Sequence, residues 1–422
     1  MHAPASGSAA PLHSAQPAYP VLRKNKVFLL LFTASTLSVL GNAFHSLALS
    51  LWVLQETGSA KMMSILTVSN LIICSLLGSL TGTAADRINR RTLILSAYAV
   101  QSITVLGIAF ALTKPDVSFI LIVILTGIAT SAGQFHAPAF QASLLTVVGK
   151  KYIQQAAGLM TLSENISRTA GYALGGIFVA AFGGAWAIFV DGIAFMISFL
   201  LVLAAGRFAS TNTSSYKQKT NTFKQDVIGG FRYIWSNPFA KAVVLLLPVL
   251  SLFFLSCLML TQVMAVQVWK AIPFQFGLME ACIPLGYMLG SGLILTMGSR
   301  IKRRGAVVAG SILLLGPLYA ILAVTGSMAV AIPLILLIGF TFSFSTLLIN
   351  IILRLEVPEG LQGRMFGVLG SLMSVSPPLG LAVFSAAADQ FGAPVTMLSA
   401  GLLLLLFGTA AVAGLKEVRR YH

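Results

Sequence analysis

Four ionisable side chains interrupt runs that are otherwise almost wholly apolar. Asp191 stands alone in Ala187-Ile-Phe-Val-Asp-Gly-Ile-Ala-Phe195, Glu164 and Arg168 lie four residues apart in a second run, and His45 lies in a third. An ionisable group is costly in hydrocarbon, so each is a candidate for function. A lone carboxylate such as Asp191 can take up and release a proton, the step a proton-driven pump requires, or it can be held by hydrogen bonds between packed helices. Glu164 and Arg168, at i and i+4, share one helix face. They either neutralise each other, or open and close between two states with Glu164 taking a proton. Histidine gains and loses a proton in the physiological range; His45, one turn after Gly41-Asn42, is either a relay on a cavity wall or a satisfied packing residue. Gln134 and His136, just before Pro138, read as structural, and Glu280 near the outer end of its run faces a cavity mouth or water.

These groups need helices that cross a membrane to position them. Hydrophobic residues make up 57% of the 422 and charged ones 9%, with a mean hydropathy of +0.90; a soluble domain carries about 25% charged residues. At roughly 20 residues per span, about twelve spans fit. They are expected near 27–53, 61–84, 92–112, 117–138, 156–181, 184–205, 242–267, 274–297, 306–326, 328–352, 365–388 and 393–414. The formal charge of +16 is then a topology signal and not a nucleic-acid footprint. With the N-terminus inside, all 27 lysines and arginines fall on cytoplasmic segments except Lys61, Lys114 and Lys270 outside and Arg168 within a span. Cys74, Cys257 and Cys282 are lone, in or beside apolar runs, and read as packing residues.

The expected organisation is a polar tail over 1–26, a six-helix bundle over 27–205, a cytoplasmic linker over 206–241, a second six-helix bundle over 242–414 and a short tail over 415–422. The first twenty residues carry no charge and are rich in Ala, Pro and Ser, as in disordered tails. The linker is polar at first and then amphipathic (Phe223, Val227, Ile228, Phe231, Ile234, Trp235), which predicts an interfacial helix.

The turn Gly78-Ser-Leu-Thr-Gly-Thr-Ala-Ala-Asp86-Arg87-Ile-Asn-Arg90-Arg91 ends the second span. Gly78 and Gly82 are one helical turn apart and predict a close helix approach. Arg87, Arg90 and Arg91 must lie in water on one side of the bilayer. They recur 213 positions later as Arg300, Arg303 and Arg304, and Val148–Gly158 aligns with Val357–Gly367. Such a duplication marks transporters whose substrate site lies between two bundles.

On these residues the chain resembles the major facilitator superfamily. Gly78…Gly82…Asp86-Arg87…Arg90-Arg91 matches its loop 2–3 signature. Trp52–Ala60, Phe135-His-Ala-Pro138 with Leu144, Ala187–Asp191 and Gly363–Ser371 resemble the efflux branch that includes macrolide exporters and the enterobactin exporter. The similarity covers about 25–414. It implies an all-α membrane protein of about twelve transmembrane helices in two six-helix bundles, both termini cytoplasmic, in the bacterial inner membrane. It also implies export of an amphipathic small molecule, drug-like or a siderophore, usually against a proton gradient. The place of Asp86 in the signature implies a gating role, pairing across the bundles in one state only. One departure is Asn42, where many relatives carry an acidic residue.

The cavity is expected to be apolar, with Asn42, Phe44, Tyr172, Phe253, Phe254, Met259, Met264, Tyr287, Phe340, Phe342 and Phe344 available to line it; aromatic and Met side chains make adaptable walls. The alternative for each is a lipid or helix contact. No Walker A, HExxH or nucleophile motif occurs, so neither ATP hydrolysis nor an enzyme is expected. The expected partners are a small-molecule substrate, protons and membrane lipids, with no nucleic acid, metal or cofactor, and the chain is expected to be a monomer.

Overall fold

Where the sequence is apolar and free of breakers the chain is helical. The computed structural model describes residues 22–206, 232, 234–297 and 303–414. Eleven long helices carry the described residues: α1 (Lys26–Thr57), α2 (Ala60–Arg87), α3 (Arg90–Ala111), α4 (Phe119–Phe182), α5 (Gly184–Ala204), α6 (Pro238–Gln267), α7 (Pro273–Met297), α8 (Arg304–Val324), α9 (Met328–Glu356), α10 (Glu359–Phe391) and α11 (Ala393–Gly414). All eleven are long and apolar enough to cross a membrane.

At 1.5 Å per residue the 64 residues of α4 would run about 96 Å, some three times the hydrocarbon thickness. The helix is broken by Gly149, at φ 73° and ψ 165°. This is the left-handed side of the backbone map, open to glycine at little cost. The limbs 119–148 and 150–182 are therefore two spans, which makes twelve among the described residues. A connection between two spans, with Lys150 and Lys151 inside, was expected over 139–155. Instead helix continues on both sides of one glycine, because falling hydropathy ends a span without ending a helix, and Gly149 is the only residue there that breaks the hydrogen-bond ladder. The same cause makes α1, α2, α6, α9 and α10 longer than their apolar runs.

Spans α1 to α5 form one bundle and α6 to α11 the other, with α1 packed on α5, α3 on both α4 and α5, α7 on α9, and α8 on α11. Glycine permits the closest approaches, as expected where lipid offers no hydrophobic drive between helices. A Cβ at Gly41 of α1 would lie 2.6 Å from Asp191 Oδ1 and 2.9 Å from Ala194 Cβ, so glycine here lets α5 reach α1.

The tail 1–21, most of the linker with its amphipathic stretch, the turn 298–302 and the tail 415–422 lie outside the described residues. At the linker's end Ile234 is buried, Trp235 is exposed, and Lys241 Nζ sits 5.2 Å from the Trp235 ring centroid.

Candidate functional site

The bundles touch mainly through α4 against α7 and α2 against α10. The second limb of α4 meets α7 at Gly176 and Gly277, where a Cβ on Gly176 would fall 3.0 Å from the Gly277 Cα. Hydrogen bonds between the bundles include ones at mid-helix and toward the face opposite the termini. At mid-helix Thr169 Oγ1 approaches Met288 Sδ at 3.9 Å, and at the far face Gln267 Nε2 donates to the Gly58 carbonyl at 2.6 Å. The densest contact is Asp389, at the end of α10. Its carboxylate accepts from Ser59 Oγ (2.7 Å), Ala60 N–H (2.7 Å) and Lys61 N–H (3.3 Å). Ser59 is the N-cap of α2, so a carboxylate from the other bundle satisfies amide donors that the first turn leaves free, at the positive end of the helix dipole.

Below this contact lies a cavity of about 410 Å³ whose walls come from both bundles. Two smaller cavities share residues with it. One of about 260 Å³ shares Asn42, Gln101 and Phe195 and runs toward the terminal face; one of about 280 Å³ between the bundles shares Tyr172, Leu258 and Glu280.

Asp191 and His45 both line the large cavity and face each other, with His45 Nδ1 3.3 Å from Asp191 Oδ2. Asp191 is 1% exposed, and its Oδ1 points at Gly41 with no hydrogen-bond partner. Residues from two helices thus bring a carboxylate and an imidazole within ion-pair distance on a cavity wall, with His45 Nδ1 also making no hydrogen bond. Glu164 and Arg168 line the second cavity, on one face as their spacing requires, but no O–N approach within 4.0 Å joins them. Arg168 also reaches the third cavity, where Glu280 is held by a 3.0 Å hydrogen bond from Gln262 Nε2.

Asn42, Tyr172 and Met259 line the large cavity; Tyr172, Phe254, Tyr287 and Phe342 line the third. The rings of Phe254 and Phe342 stack 3.6 Å apart at 8°. Phe44, Phe253, Met264, Phe340 and Phe344 line none of the three. Phe44 is 7% exposed, against Phe178 and the backbone of α4 at Gly175, because its helix face points into the bundle. Phe253 packs on Phe384, Phe340 on Phe344, and Met264 is fully buried. His136 stacks between Tyr98 and Phe140 on the wall of the second cavity.

The charged turn does more than orient the chain. Asn89 caps α3 by accepting from Arg91 and Thr92 N–H. Arg90 donates to the Ala142 carbonyl (3.3 Å) and Thr146 Oγ1 (3.4 Å), and Arg91 Nη2 donates to the Leu203 carbonyl (3.0 Å). Both guanidiniums therefore tie the start of α3 to neighbouring helices, Arg91 at the negative end of α5. Gly82, Asp86 and Arg87 are described as backbone in the last turns of α2. The close approach expected at Gly78 is not made: it is exposed, with nothing within 4 Å of a Cβ built there. Gly363, Gly367 and Gly370 of α10 are equally open.

Two groups were not singled out from the sequence. Asp389 reads in sequence as a charge beside a loop, since its partners lie about 330 residues away. Gln262, Gln101 and Asn70 are polar residues within spans, a signal that was available; Asn70 accepts from Thr130 Oγ1 at 2.9 Å. Among the described residues no cluster of three His, Cys, Asp or Glu suits a metal ion.

A family model described as transmembrane secretion effector matches residues 17–419. The chain is 24% identical over 403 residues to the multidrug efflux pump Tap of Mycolicibacterium fortuitum, covering 92% of this chain and 96% of that one. It is 24% identical over 413 residues to the enterobactin exporter EntS of Escherichia coli, covering 95% of each. Among solved structures it resembles a bacterial homologue of the lysosomal transporter Spinster in an inward-facing, unoccupied conformation, with a TM-score of 0.73, 13% identity and coverage of 94% and 98%. It also resembles the nucleoside transporter NupG, with a TM-score of 0.70, 13% identity and coverage of 94% and 100%. At these identities the two structures speak for the fold.

Proposed function

Because the chain belongs to the transmembrane secretion effector family of major facilitator efflux transporters, we propose that it exports an amphipathic small molecule from the bacterial cytoplasm, across the inner membrane, by alternating access coupled to proton entry. The observation that carries the reading is the His45–Asp191 pair on the wall of a cavity between the bundles. A carboxylate beside an imidazole can take up and release a proton, and whether the pair holds one changes the charge of the wall that the substrate meets.

In this reading both termini and the basic loops lie in the cytoplasm, in line with the retention of Lys and Arg there. The contacts of Asp389, Gln267 and the Gly176–Gly277 crossing then close the outer face, and the cavity is reached from inside. Gly78 on α2 and Gly367 and Gly370 on α10 stand open in this state and come together when the cytoplasmic face closes. Asp86 is the carboxylate that pairs in that second state. Glu164 and Arg168, on the wall toward the cytoplasm, are a second pair that changes partners between states. The transporter acts as a monomer in its lipid environment, with no cofactor.

The named relatives divide between drugs and a siderophore. Glu164, Asp191 and Glu280 face the cavities against the single guanidinium of Arg168. That balance favours a drug-like or natural-product amphiphile over an anionic chelator, since like charge in a low-dielectric cavity is strongly unfavourable. The test is drug accumulation in an efflux-deficient host expressing the protein. Accumulation of an exported compound rises to the level of non-expressing cells when an ionophore collapses the proton gradient. Unchanged export under that treatment would refute the coupling.

A further inference from the structure

We infer that Glu280 makes the inter-bundle cavity selective for organic cations carrying aromatic groups. The inference rests on the transport reading and names the substrate class of that site. Glu280 occupies the junction of the large and the third cavities. One carboxylate oxygen accepts from Gln262 Nε2 at 3.0 Å. A neutral amide orients the group without cancelling its charge, and no base lies within 4.0 Å of it. The described residues make no other hydrogen bond to this carboxylate, and the residue lines both cavities.

The surroundings suit one kind of cation. Tyr172 lines both cavities beside Glu280, and the stacked Phe254 and Phe342 with Tyr287 complete the wall of the third. Aromatic faces attract cations through their quadrupoles and offer broad apolar contact. A small inorganic cation needs several hard oxygen ligands, whereas Glu280 is a single carboxylate among rings. The other charges facing the site are two carboxylates and one guanidinium, so the balance stays negative. Arg168 shares the third cavity but has Glu164 one turn below on its own helix face, and Asp191 is matched to His45. Glu164 and Glu280 both lack a cation within 4.0 Å, but of the two only Glu280 stands at the junction of the cavities among aromatic rings, and a ligand's positive charge placed there is balanced within a low-dielectric wall.

The experiment uses the full chain purified in detergent, with two probes of similar shape: tetraphenylphosphonium, which is cationic, and triphenylphosphine oxide, which is neutral. The wild type binds the cation at least tenfold more tightly. In Glu280→Gln that ratio falls by at least tenfold, and in Glu280→Asp, which keeps the charge, it recovers in part; monodisperse elution and an unchanged melting temperature verify folding. Equal binding of the two probes by the wild type, or a ratio unmoved in Glu280→Gln, overturns the inference. Gradient-dependent export of neutral compounds without phosphonium binding would leave the exporter reading standing and this inference refuted. Phosphonium binding with no transport of any compound would do the reverse.

Discussion

Replacing Asp389 by alanine removes a contact that ties the two bundles together at one face only. Two bonds of 2.7 Å and one of 3.3 Å end on its carboxylate, from Ser59 Oγ and the first two amides of α2. A net intramolecular hydrogen bond contributes about 0.5–1.5 kcal/mol, and a charge at a helix end about 0.3–1 kcal/mol. Asp389 is exposed, so water competes and the bottom of each range applies, giving about 2 kcal/mol in all. Because the contact exists only while that face is closed, its whole value enters the equilibrium between states. At about 1.4 kcal/mol per tenfold, the far-face-open population rises about 20- to 30-fold. Spin labels at Lys114 and Gly326, on far-face loops of opposite bundles, report the separation by double electron–electron resonance in a Cys74→Ser background. A longer-distance population that grows in Asp389→Ala, and less in Asp389→Asn, is the expected result. Identical distance distributions in wild type and Asp389→Ala would show that these bonds carry no preference between states.

Other outcomes follow from the same geometry. Asp191→Asn keeps the shape of the α1–α5 contact but cannot exchange a proton, so gradient-driven efflux falls at least tenfold in everted vesicles while expression and elution volume hold. Gly41→Val places carbons where Asp191 Oδ1 and Ala194 Cβ already stand, within 3 Å of a Cβ; overpacking of this kind costs about 1–3 kcal/mol and lowers the melting temperature of the purified protein. Asp86→Asn lowers transport without lowering expression, and wild-type transport rates in that variant would remove Asp86 from the gate.

The span count and the residues inside spans were legible because hydropathy and buried charge are local properties of a sequence. Asp191, His45, Glu164 and Arg168 were found that way, each by its own surroundings. What joins them was not legible: that Asp191 meets His45 depends on Gly41 bringing α5 against α1, and a glycine among apolar residues does not say which helix it receives. The reach of helices past their apolar runs was missed because hydropathy marks the membrane and not the hydrogen-bond ladder, as the single break at Gly149 illustrates. Aromatic residues gave the weakest signal. Phe254 and Phe342 line a cavity and Phe44 does not, and the difference lies in which face of a uniformly apolar helix points inward. Asp389 was invisible because a carboxylate near a loop resembles any solvated charge until the helix start it caps is brought beside it.

In the proposed mechanism, proton exchange at the His45–Asp191 pair is tied to substrate movement. The most direct measurement follows the pH gradient of acidified everted vesicles when an exported amphiphile is added. The gradient should partly collapse in vesicles carrying the wild type and persist in those carrying Asp191→Asn. Uptake of that amphiphile by wild-type vesicles with no loss of the gradient, or an equal loss in both, would contradict it.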